Sequence, residues 1–192
     1  ADTVPHLAAA ALTVVDPDYS GDGTNINNRT LTISRSANSP AGNVAAGGLD
    51  IPLAGFDYRA NGEDIKVVNV RVNVNPTVAG VATDTLNDGK LYFNGSQVGT
   101  TDDSVADSAD NVFSLGNTVV IPAGTTGVFE YRANIEGDTG VDLSGDDTIV
   151  VALSAGTSGD ATGQVSLTSL TPSASTGQTL TVKTGVLSVA KN

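Results

Sequence analysis

The chain has 192 residues, 39% of them hydrophobic, and carries 9 basic against 21 acidic side chains for a net charge of -12. That balance repels nucleic acid and anionic membranes, and no apolar run approaches the ~18 residues of a membrane helix, so neither partner is expected. The absence of Cys excludes disulfides and thiolate metal sites, and a single His leaves no histidine cluster for a metal.

The chain opens on "ADTVPH" with no Met, which reads as what remains after removal of a secretory leader. Composition agrees with a secreted, extracellular or cell-surface protein: rich in Thr, Ser, Gly, Asn and Asp, poor in Lys. Residues 1–15 form an arm too apolar to stay in water, so it must dock somewhere. As an extended strand it presents Val4, Leu7, Ala8, Ala10, Leu12 and Val14 as candidate inserted side chains. The arm could dock onto its own domain or onto the sheet edge of a neighbouring subunit. Within it, "HLAAAAL" (6–12) is the one helix candidate.

Residues 16–28, "DPDYSGDGTNINN", make an acidic Gly/Pro hinge. Asp16, Asp18 and Ser20 also occupy the first, third and fifth positions of a calcium-type loop, with Gly21 at the turn and Asp22 completing the acidic set. Asn27 stands where a bidentate Glu belongs, so the segment reads as a hinge first and a calcium clip second. Calcium is the one cofactor candidate. Asn28 in "NRT" and Asn94 in "NGS" have the form of glycosylation acceptors, and Asn94 also has a turn role.

From residue 29 to 192 the periodicity is two. Strands are predicted over "RTLTISRS" (29–36), "IKVVNVRVNVN" (65–75), "VFEYRANI" (128–135), "IVVALS" (149–154), "QVSLTSL" (164–170) and "TLTVKTGVLSVA" (179–190). In the second, Val68, Val70, Val72 and Val74 are expected on one face. Asn61-Gly62, Asp88-Gly89 and Asn94-Gly95 are expected turns, and a Pro-Gly break falls near residue 122. Residues 100–111 and 142–147 read as acidic surface loops. With aromatics at 4% and no Trp, the core is expected from Val, Leu, Ile and Ala. The apolar phase slips at Gly185, and "GVLSVAKN" looks like "RTLTISRSAN", a second candidate donor strand. The expected fold is all-β: an Ig-like antiparallel β-sandwich with an N-terminal extended arm.

The order "LTISRSANSPAG", "FDYRANGEDIKVVNVRV", "GKLYFNGSQVGTT", "VVIPAGTTGVFEYRANI", "QTLTVKTGVLSVAKN" resembles the Ig-like β-sandwich modules of bacterial surface and appendage proteins. More distantly the chain is similar to TasA-like donor-strand fibre subunits. The first resemblance implies a module of an adhesive stalk or appendage; the second implies a subunit that donates a strand to the next.

The chain lacks G-x-S-x-G, G-x-x-x-x-G-K and H-E-x-x-H, and has no Trp on which a sugar could stack, so no enzymatic activity is expected. Lys66, Lys90 or Lys183 could enter an isopeptide bond of the kind that pilin-like modules carry, although the spacing selects no partners. The leading expectation is a structural subunit of an extracellular filament, a homopolymer of identical subunits assembled head-to-tail by N-terminal strand donation. The alternative is an Ig-like binding module of a surface adhesin or S-layer protein, presenting loops to a surface or glycan ligand.

Overall fold

The computed structural model describes residues 29–77, 85–136, 143 and 145–184. Every regular element among them is a strand: β1 Thr30–Arg35, β2 Gly42–Ala45, β3 Ile51–Asn61, β4 Ile65–Thr77, β5 Leu86–Phe93, β6 Ser96–Asp102, β7 Asp110–Ile121, β8 Thr126–Ile135, β9 Thr148–Leu153, β10 Ala161–Gly163, β11 Ser169–Leu170 and β12 Ser175–Lys183. One sheet runs β1-β3-β8-β5-β6; the other runs β11-β10-β4-β9-β12-β2, with β7 along the second side of β4. The two pack face to face as a β-sandwich. The arm, the hinge and "GVLSVAKN" lie outside the described residues.

Alternation explains the inner faces. In β8, Phe129, Tyr131, Ala133 and Ile135 are buried, as their period-2 spacing predicts, while Glu130, Arg132 and Asn134 face outward. In β4 the expected face is corrected at one position. Val70, Val72 and Val74 are buried, but Val67 takes the inner place and Val68 is only half-buried. A bulge between Val67 and Asn69 causes the shift: the amides of Val68 and Asn69 both donate to the carbonyl of Asp160.

The aliphatic core expected from composition is also corrected. Tyr131, Phe56 and Phe129 are among the largest fully buried side chains. Phe129 packs against Tyr58 and Phe93 with ring centroids 4.6 and 4.9 Å apart, and Phe113 meets Tyr131 edge-on. The few aromatics are therefore concentrated at the centre. Burial pushes the Tyr58 and Tyr131 hydroxyls above the usual phenol range.

Turn chemistry behaves in three ways. Asn94 and Gly95, at φ 48° and 85°, make the tight two-residue hairpin predicted between β5 and β6. Asn61-Gly62 gives a three-residue loop instead, because Asn61 stays in β3 and only Gly62 has positive φ. Asp88-Gly89 is no turn at all but a bulge inside β5. There, a Cβ on residue 89 would lie 2.6 Å from the Tyr131 hydroxyl oxygen, so glycine lets the strand close over that ring. The predicted strand "QVSLTSL" is likewise mostly loop: only Ser169–Leu170 pairs.

One departure from antiparallel pairing involves the β2 edge, where Gly42–Ala45 runs parallel to Leu180–Lys183. The chain leaves β1, crosses between sheets over residues 36–41 and continues in the same direction as β2. Buried Ser36 and Ser39 fix the crossing: the Ser36 amide donates to the Gly55 carbonyl at 2.9 Å, and the Gly55 amide donates to Ser39 Oγ at 3.0 Å.

Candidate assembly edge

β1 forms one edge of the five-stranded sheet, and its registers with β3 are continuous from Thr30↔Asn61 to Arg35↔Phe56. The Ser36–Gly55 bond fixes which backbone groups are used. In an antiparallel ladder alternate residues turn their N–H and C=O to the same neighbour. Ser36, Ser34, Thr32 and Thr30 therefore face β3, whereas Leu31, Ile33 and Arg35 turn theirs to the open side. Among the described residues nothing pairs there. Leu31 and Ile33 also point into the sandwich; Ile33 is 9% exposed and Leu31 is partly buried against the core. Among the described residues the edge thus presents main-chain donors and acceptors beside a partly covered Leu31 and a buried Ile33, features that suit an added strand.

The other sequence candidates fall as follows. The proposed donor residues Val4, Leu7, Ala8, Ala10, Leu12 and Val14, the calcium candidates Asp16, Asp18, Ser20 and Asp22, and Asn28 lie outside the described residues. Asn94 is exposed in its turn, with its side-chain oxygen accepting from the Val128 amide at 2.9 Å. The lysines of the isopeptide reading are separated: Lys66 Nζ donates to Asn117 Oδ1 at 2.9 Å on an exposed surface, Lys90 pairs with Asp50 at 3.3 Å, and Lys183 pairs with Asp146.

The acidic loops are more tied down than solvated loops would be. Between β6 and β7, Val105 is buried at 2% exposure and Thr85 Oγ1 donates to Asp107, so this segment is pinned to the body. Near residue 143 the same holds: Leu143 is fully buried and the Asp146 amide donates to the Val182 carbonyl. No group of three His, Cys, Asp or Glu among the described residues is arranged to hold a metal.

Two charged clusters were not visible in the sequence. Asp160, 3% exposed, accepts from Arg71 Nε at 2.9 Å, Asn69 Nδ2 at 2.9 Å and the Thr157 amide at 2.7 Å. Burial alone would raise its carboxyl, but Arg71, Thr157 and Asn69 outweigh burial and hold it at about 2. On the outer face of the other sheet, Arg132 contacts Asp50 and Glu130 and lies 4.7 Å from the Tyr92 ring centre. Each cluster joins residues far apart in sequence, and no local spacing marks them.

Compared with known proteins, the chain matches no family model, and no curated protein matches it at a significant level.

Proposed function

We propose that this protein is a structural subunit of an extracellular filament, polymerising when the N-terminal arm of one copy adds as a strand to the β1 edge of the next. The observation that carries the reading is β1 itself: an edge strand in one continuous register, unpaired on one side among the described residues, with Leu31 and Ile33 at the rim of the core. The arm has the complementary character, since alternate small and aliphatic residues at positions 8, 10, 12 and 14 can fill the rim while their backbone meets Leu31, Ile33 and Arg35. Donor and acceptor are different surfaces, so the contact repeats head-to-tail and does not close into a pair.

Deletion of residues 1–15 tests this reading. The truncated protein is expected to remain folded and monomeric by light scattering where the full chain forms filaments under the electron microscope. Filaments from the truncated protein would remove the arm as donor and turn attention to "GVLSVAKN".

A further inference from the structure

The large apolar side chains most exposed among the described residues lie at the two ends of the sandwich. Val165 and Leu167, 83% and 76% exposed, stand in the β10–β11 loop. This loop lies beside the β3–β4 loop, because Gly163 pairs with Ile65 and the Gln164 amide donates to the Asp64 carbonyl. Leu49, 74% exposed, precedes β3 at the opposite end, where the Ile135 amide donates to Gly48 and the Ala46 amide to Lys183.

The first end is built rather than loose. The Glu63 carboxylate accepts from the Val165 amide at 2.7 Å, the Ser166 amide at 2.8 Å and the Ser166 hydroxyl at 2.5 Å. The Gly163 amide closes the loop onto the Thr168 carbonyl at 3.1 Å. A Cβ at residue 163 would collide with the Glu63 carboxylate, so the clasp requires glycine there. Leu167 sits at φ 54°, a strained conformation for its side chain, without gaining burial. The clasp also meets the start of the described chain: Arg29 Nε lies 3.9 Å from Glu63 Oε1. A neighbour that received residues 1–15 would be joined to this end through residues 16–28.

We propose that Val165 and Leu167 form a rigid apolar knob that seats against the Leu49 end of the next copy, a second contact along the filament axis. This inference rests on the filament reading for its partner. Knob and seat lie at opposite ends, so the contact, like strand donation, is head-to-tail and propagates.

The chain contains no Cys, so engineered cysteines are its only thiols. Leu49→Cys, Val165→Cys and the double variant are treated with a short bis-maleimide. A covalent ladder of multimers from the double variant, with no dimer from either single variant, is the expected result. Dimers from Val165→Cys alone would mean a knob-to-knob contact and overturn the proposal. Filaments without a ladder would also overturn it, while arm deletion separately decides strand donation. A full chain that stays monomeric would sink the filament reading; a ladder there would still support the knob, and its absence would sink both. Val165→Ser/Leu167→Ser changes only exposed side chains, and is expected to raise the concentration at which assembly begins on the order of tenfold. No change in that concentration would count against the knob.

Discussion

The two edges of the five-stranded sheet differ. β6 is covered and irregular: its pairing with β5 shifts between Gly89 and Leu91, Gly99 has φ 71°, and a Cβ there would be 3.4 Å from Leu115 of β7. Among the described residues β1 is the more regular of the two. It keeps one register along its length, carries no Pro, has no residue at positive φ, and has Arg35 at its end as its one charge. Proteins blunt exposed edges with bulges, charges, proline or cover because a flat edge pairs with whatever strand arrives. One edge of this sheet is blunted in that way; along the other, no described residue pairs with the outer side of β1.

The sharpest contrast with either edge is the centre. Phe129→Ala, between β3 and β5, is expected to cost about 3–5 kcal/mol in denaturant unfolding. Asp160→Ala should cost about 3 kcal/mol by leaving Arg71 without its buried partner. The same carboxylate gives an acid limb. Its pKa is depressed in the fold, so its contribution is present above the unfolded value near 3.8 and is lost as pH falls towards about 2. Wild type should lose on the order of 2 kcal/mol across that window through this group, and Asp160→Ala should lose correspondingly less. At β1, Thr32→Pro removes an amide facing β3 and should cost about 2 kcal/mol. Smallest is Gly95→Ala, at the tip of the β5–β6 hairpin: a Cβ meets nothing within 4 Å there, so only the φ of 85° resists it, at about 1 kcal/mol.

The sequence made the centre easier to read than its irregularities. Strict alternation in "VFEYRANI" identified the buried face of β8, because that strand pairs on both sides and one of its faces is core. In β4 the adjacent Val67 and Val68 permit either phase, and the choice is made by the Asp160 carbonyl, which arrives from far along the chain. "QVSLTSL" alternates like a strand, yet the Glu63 carboxylate takes the amides of Val165 and Ser166 that a ladder would use. Asp88-Gly89 has turn chemistry, but close approach to Tyr131 uses it as a bulge. The β1 edge was legible as a strand and not as an edge, since only sheet order tells which side lacks a neighbour.

Strand addition at β1 depends on its open side, and one substitution there tests it directly. The Leu31 amide faces away from β3, so Leu31→Pro removes a donor from the open edge while sparing the β1–β3 ladder. Assembly of this variant is followed by light scattering and electron microscopy, with its melting temperature measured alongside. A folded protein that no longer forms filaments, while Thr32→Pro is destabilised yet still assembles below its melting temperature, is the predicted result. Normal filaments from Leu31→Pro would contradict β1 as the edge that receives the strand.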